Sequence, residues 1–297
     1  MSTALIVCAG QSNERGTGGA GTASVTANGP PHLDPIYPNG YESSMWPALV
    51  DTLAAAGIRA IVRNTAVGSS SISKGWCGLC RTWAATRKTA RGEWVIPTAP
   101  NGYKYRSTGS ADVNAGSSEP TWPTTVSNTV SDGSVTWTCA LADANDASGH
   151  SYVEGEAGFD PMGYFNIVAQ NSIGSFDLKI AIIQIGQSDA LCLTTKDEFL
   201  NGYIAAANWY LSRGFKVFMG LSTGHTAYTS AYTNNFQPAI TEALGFFNSN
   251  ANVFRGADLF EAFGESPPYS DGGVHVTQDI LRQAGNLWGG IISAALA

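Results

Sequence analysis

Residues Leu178 to Gly186 read LKIAIIQIG, the strongest strand signal in the chain. Four isoleucines within eight positions favour extended backbone, because a β-branched side chain packs well on a pleated surface. The run is apolar almost throughout instead of alternating, so both of its faces must be covered. That places it inside a parallel sheet with helices on either side.

The flanking sequence repeats the same grammar. A helix is expected from Met162 to Ile173 before this strand and another from Lys196 to Arg213 after it, followed by the strand FKVFMGLS (Phe215 to Ser222). A helix from Asn235 to Ser249 then leads to NVFRGADLF (Asn252 to Phe260), and a last helix runs from Thr277 to Ala295. Near the start, Ala4 to Ala9 and Ile58 to Arg63 read as strands. Between them, Met45, Trp46, Leu49, Val50 and Leu53 form the apolar stripe of a helix over Ser43 to Ala56 that stops at Gly57. Strands alternating with helices imply right-handed crossovers. The expected fold class is α/β, a three-layer α/β/α sandwich around a mainly parallel sheet.

One segment breaks the pattern. Gly92 to Cys139 has no helical period, carries turn signals at Pro100-Asn101-Gly102 and Asp132-Gly133, and has short runs rich in Val, Thr, Tyr and Trp. The chain therefore divides into residues 1–91 and 141–297, two parts of one α/β domain, and a small all-β insertion at 92–140. Most of Trp94, Tyr103, Tyr105, Trp122 and Trp137 are expected to form the insertion's own core, with one or two exposed; a carbohydrate platform is the alternative.

Composition narrows the functions. Of 297 residues, 43% are hydrophobic and only 13% charged, with 34 glycines, so much of the surface must be neutral and polar, suited to sugars. The net charge of −7, with no basic run beyond Arg87-Lys88, argues against nucleic acid. No stretch approaches the ~20 apolar residues of a membrane span, and Ala4 to Ala9 is too short for an export signal, so none is expected in this chain. Five scattered cysteines do not form a disulfide framework. Cys77-Gly-Leu-Cys80 could contribute to a zinc site only with Cys139 and His150. Loop thiols, or one bridge from Cys77 or Cys80 to Cys139, are the simpler readings, and no metal is expected.

In a parallel α/β sheet, ligands bind beyond the carboxyl ends of the strands. Four stretches fall there: GQSN (Gly10 to Asn13), NTAVGSSSI (Asn64 to Ile72), IGQSDA (Ile185 to Ala190) and SDGGVHVT (Ser270 to Thr277). Together they offer a serine, a histidine, acids and loop amides. A serine hydroxyl is scarcely ionised at neutral pH, so it needs a base, and its attack on a carbonyl needs donors for the resulting oxyanion. Of the four histidines, only His275 sits in a glycine-rich loop flanked by an acid.

These four stretches, in this order, resemble the blocks of the SGNH (GDSL-like) hydrolases. GQSN and QIGQSDA are closest to the branch of carbohydrate acetylesterases and phage tail esterases. NGYKY, SEPTWP and DGSVTWTC in the insertion resemble short β modules of phage tail fibre and tailspike proteins. The resemblance implies a flavodoxin-like sheet, with Ser12 as nucleophile and His275 as general base. It implies an oxyanion hole from the backbone N–H groups of Ser12 and Gly68 and a side chain of the third block. Here that block offers Ser188 and Gln187 where the family places Asn. The family's Asp lies three residues before His; in this chain that position is Gly272, and Asp271 is one residue further away. Either Asp271 orients the imidazole or the site runs as a Ser-His dyad. Asn13, Asn64 and Asp189 are read as loop-fixing residues, Asp189 by accepting backbone N–H bonds, with direct catalysis as its alternative.

The implied function is a serine esterase, without metal or organic cofactor, that removes O-acetyl groups from a polysaccharide such as a bacterial capsule or O-antigen. The resemblance further implies a virion tail or extracellular location, with acetylated polysaccharide as partner and a homo-oligomer such as a trimer, or other tail proteins, as the assembly. The alternatives are a short-chain lipase or thioesterase, and a non-catalytic glycan-binding tail protein.

Overall fold

A computed structural model describes residues 3–10, 44–63, 66, 71–72, 80–90, 92–108, 113–142, 176–224, 228–270 and 275–297. In chain order the elements are β1 (Thr3–Ala9), α1 (Trp46–Ala55) and β2 (Arg59–Arg63). Seven short strands follow: β3 (Cys80–Thr82), β4 (Lys88–Thr89), β5 (Trp94–Ile96), β6 (Tyr103–Ser107), β7 (Val113–Asn114), β8 (Thr129–Asp132) and β9 (Val135–Leu141). The chain then continues through β10 (Leu178–Ile185), α2 (Gln187–Leu191), α3 (Lys196–Leu211) and β11 (Lys216–Leu221). A π-helical turn at Tyr232–Phe236 runs into α4 (Gln237–Phe246), and β12 (Val253–Asp258), α5 (Leu259–Phe263) and α6 (Gln278–Leu296) complete the chain.

The main sheet has the order β2-β1-β10-β11-β12 with every pair parallel. Counting only its own strands this is 2-1-3-4-5, the flavodoxin-like doubly wound order. The fold is therefore α/β with helices on both faces, as expected from LKIAIIQIG. The physical reason lies in the period of two along each strand. Ile180 and Ile182 join Ala4, Ile6 and Cys8 against α1 and α6, whereas Ala181, Ile183 and Ile185 join Leu5, Val7 and Ala9 against α3 and α4. All of these residues are fully buried, and each large aliphatic side chain contributes roughly 1.5–3 kcal/mol.

The exception in β10 is Gln184, which is buried and accepts a hydrogen bond from the Trp288 indole N–H. Trp288 projects from α6 over Gly220 and Gly256. A Cβ at either would fall 2.5 or 2.3 Å from the indole, so only glycine admits the ring. The opposite layer begins at a capping box on α3: Glu198 N–H donates to Thr195 Oγ1 at 3.3 Å, and Thr195 N–H donates to Glu198 Oε2 at 2.9 Å. The helix expected over Met162 to Ile173 lies outside the described residues.

The second five-stranded sheet has the order β3-β5-β6-β9-β8, with β4 and β7 forming a separate ladder. Its first strand, Cys80–Thr82, precedes Gly92 and pairs parallel with β5. The other pairings are antiparallel. Tyr105, Val135, Trp137, Cys139 and Val95 form its core, while the neighbours of Val95 in β5, Trp94 and Ile96, belong to the α3 side of the main core. One three-residue strand thus joins two cores by pointing alternate side chains in opposite directions. Arg81 on β3 adds an ion pair to Glu198 on α3. Of the aromatics expected to form the insertion's core, Tyr105 and Trp137 do so, Tyr103 and Trp122 pack at its margin, and Trp94 is shared with the α/β layer.

Buried Asp132 ties this sheet together. Its Oδ2 accepts from the indole N–H of Trp83 at 2.7 Å and of Trp137 at 2.9 Å, and its Oδ1 accepts from Gly116 N–H at 2.7 Å. Cys139 is an unbridged, buried thiol, which excludes the bridge to Cys77 or Cys80. Burial pushes its pKa up.

Candidate active site

All five strands of the main sheet run in the same direction, so their carboxyl ends share one edge. The order reverses between β1 and β10, and a crevice opens at such a switch point. The first block follows β1 and the third follows β10, so the two leave adjacent strands on the two sides of that crevice. Ser12, Asn13, Asn64, Gly68 and Asp271 lie outside the described residues, as do His32, His150 and His225. Gln187, Ser188, Asp189 and His275 are described, together with Ser71 and Ile72 of the second block.

Strand β10 turns sharply into α2 at Gly186, with φ +155° and ψ −31°. An L side chain rarely adopts this conformation, and a Cβ here would lie 3.1 Å from Leu221 Cδ1. The turn is what lets Gln187, Ser188 and Asp189 follow the strand directly at its carboxyl end. All three are buried.

Asp189 is fully buried and holds the second block against the third. Its Oδ1 accepts from Ser71 Oγ at 2.6 Å and Thr194 Oγ1 at 3.2 Å, and its Oδ2 accepts from Ile72 N–H at 3.0 Å. A buried carboxylate is tolerable only when its lone pairs are satisfied in this way. The geometry is that of a loop pin. Among the described residues it engages a backbone N–H and two hydroxyls, where the sequence suggested backbone groups alone.

Gln187 faces the next loop. Its Nε2 donates to Thr223 Oγ1 at 3.2 Å and more weakly to the Gly224 carbonyl at 3.5 Å. The same carbonyl accepts from Tyr269 Oη at 2.9 Å. Burial raises the pKa of that phenol, so it remains a neutral donor at neutral pH. Tyr269 is in turn bridged antiparallel to Val276, the neighbour of His275. Gly224 therefore links the third block to the histidine loop, a connection without any signal in the sequence because glycine carries no chemistry of its own.

His275 is half-buried at the base of α6. Its carbonyl accepts from Ser270 N–H at 2.7 Å and Ser270 Oγ at 3.0 Å, and Thr277 N–H donates to Pro268 O at 3.0 Å. These bonds close the backbone on both sides of residues 271–274. The amino end of α6 is anchored as well, through Gln278 Nε2 donating to the Ser44 carbonyl at 3.3 Å, which ties it to the segment entering α1.

Among the described residues, no group of three or more His, Cys, Asp or Glu side chains is placed to hold a metal ion. Among the same residues, no helix is long and apolar enough to cross a membrane.

No protein-family model and no curated protein matches the sequence. Among solved structures, a family two carbohydrate esterase from Clostridium thermocellum in complex with cellohexaose is similar over 98% of this chain and 64% of its own length, at 12% identity and a TM-score of 0.47. An active-site mutant of a family two carbohydrate esterase from the same organism is similar over 99% of this chain and 63% of its own, at 10% identity and a TM-score of 0.42. This chain thus spans less than two thirds of either protein.

Proposed function

We propose that the chain is a serine esterase that removes small acyl groups, acetyl above all, from a polysaccharide. The observation that carries the reading is the clustering of the blocks on one sheet edge. Asp189 binds the second block to the third, and Gly224 connects the third block to the loop that presents His275. The first block leaves β1, directly beside the strand that carries the third.

In this reading Ser12 Oγ attacks the ester carbonyl while His275 removes its proton. The tetrahedral oxyanion is met by the N–H groups of Ser12 and Gly68. The third donor is a side chain of the third block, Ser188 or Gln187, the amide of Gln187 also donating to Thr223 and Gly224. Each such donor is worth about 3 kcal/mol, since it is aimed at charge that develops only in the transition state. Collapse expels the sugar hydroxyl with the proton from His275; water, activated by the same histidine, then releases acetate and restores the serine. Asp271 is the orienting acid. That role follows from the family resemblance, in which an acid of the same block fixes the tautomer and orientation of the imidazole. No step calls for a metal or an organic cofactor.

The tail-protein likeness of the insertion motifs extends the proposal to a virion tail or extracellular setting, a homotrimer or other tail proteins as partners, and a capsule or O-antigen as substrate. Acetate release from acetylated polysaccharide by wild type, Ser12→Ala and His275→Ala tests the reaction. Wild type should exceed both variants by more than about 1,000-fold. Equal rates in all three would refute the esterase reading, and a preference for p-nitrophenyl octanoate over the acetate would make it a lipase.

A further inference from the structure

Beside the third block the same sheet edge carries a cavity of about 340 Å³, bounded by the residues that follow α2 and by the turn that precedes α4. We propose that it is a subsite for a neutral sugar ring of the substrate chain, separate from the acyl-transfer centre. The inference rests on the carbohydrate esterase reading above and adds the place where the glycan is gripped.

The volume lies in the small-ligand range of ~300–1,000 Å³. The lining has the composition a sugar requires. Thr195, Ser230, Asn234 and Asn235 bring neutral donors and acceptors, while Leu193 and Tyr228 bring apolar surface for the C–H face of a ring. The only charge among the described lining residues is Lys196, whose ammonium is paired with Glu242 at 2.7 Å, so these residues do not select an anion.

Two features set its walls apart from ordinary surface. Leu193 is 72% exposed and holds φ at +53°, a region a bulky L residue enters only when its surroundings impose it. Asn234 and Asn235 sit on a π-helical turn, which re-aims side chains relative to a regular helix. The Leu193 wall connects to the proposed site. Thr194, between Leu193 and the cap of α3, donates to Asp189 through its hydroxyl and its backbone N–H bonds the Asp189 carbonyl at 2.9 Å. A polysaccharide lying along the edge would meet this cavity immediately beyond the third block.

Isothermal titration with a panel of neutral hexasaccharides (cello-, xylo-, manno- and malto-hexaose) and the matching disaccharides tests the assignment. Wild type should bind at least one hexasaccharide, and Leu193→Gly and Asn235→Ala should each weaken it by about fivefold or more, the cost of one lost contact. Glycine accepts φ +53° without strain, so weaker binding by Leu193→Gly would not reflect a damaged fold. Lys216→Ala, at the opposite edge of the sheet, should bind as wild type. The subsite is refuted if no member of the panel binds, or if both cavity variants bind as tightly as wild type. Hydrolysis of p-nitrophenyl acetate by wild type and Ser12→Ala, run alongside, reports on the esterase reading independently. Turnover without sugar binding sinks only the subsite, and sugar binding without turnover sinks only the esterase.

Discussion

Replacing Asp189 by alanine removes at least three hydrogen bonds and leaves Ile72 N–H, Ser71 Oγ and Thr194 Oγ1 buried around a void. The stranded backbone N–H costs about 1–3 kcal/mol. The lost carboxylate bonds add about 1.5–3 kcal/mol each, and the saved desolvation of a buried charge returns several kcal/mol of that sum. The net loss should be about 3–4 kcal/mol, or a fall in Tm of roughly 5–6 °C for a chain of 297 residues. Asparagine is nearly isosteric. Its carbonyl can keep the Ile72 bond while its NH2 donates to the two hydroxyls after they rotate, so Asp189→Asn should cost only about 1–2 kcal/mol. Urea unfolding followed by tryptophan fluorescence measures both. A double-mutant cycle of Asp189→Ala with Ser71→Ala should give a coupling of about 1–2 kcal/mol from the 2.6 Å bond. Esterase activity should follow the same order, because the second block loses its position in alanine and keeps it in asparagine. Alanine within 1 kcal/mol of wild type, or a coupling near zero, would refute the clamp.

Four further substitutions probe other parts of the molecule. Gly256→Ala would put a Cβ 2.3 Å from Trp288 Cη2 and should cost about 1–3 kcal/mol, visible as a lower Tm; an unchanged Tm would mean that the indole does not lie there. Asp132→Ala strands two indole N–H groups and one backbone N–H, and should destabilise the second sheet by about 3 kcal/mol; a fluorescence-monitored transition identical to that of wild type would contradict this. Leu193→Gly exchanges relief of about 1–2 kcal/mol of backbone strain for a more flexible unfolded chain and should leave Tm level or raised. Leu193→Val, β-branched at the same positive φ, should lower it by roughly 2 °C or more, and equal Tm values for the two would argue against strain at this position.

The layers of the fold were legible because their cause is local. LKIAIIQIG has no solvent face, and that alone required cover on both sides; Met45, Trp46, Leu49, Val50 and Leu53 repeat at helical spacing, and α1 forms there. The small second sheet was legible in kind, but it also takes Cys80–Thr82, whose parallel pairing with β5 depends on a long-range register that no short pattern encodes. The neighbours of Trp94 were not legible for a related reason. An aromatic on a short strand is apolar whichever core it enters, and only the alternation of β5 between two packed faces decides which one.

At the candidate site, residue types and their order after successive strands pointed to an edge, and the strand order puts that edge at the switch point between β1 and β10. Sequence could name Gln187 and Ser188 as equal candidates for one role, since hydrogen-bonding capacity belongs to the residue type. It could not see that Thr223 and Gly224 engage the amide of Gln187, because that depends on where the loop after β11 passes. Nor could it see the cavity walled by Leu193 and Asn235, which are separated in sequence by an entire helix and strand. Local periodicity and residue chemistry are carried by the chain itself, and they determined the fold class and the candidate residues. Which polar groups satisfy one another was decided only by tertiary packing, because a buried hydrogen bond exists where two distant segments meet.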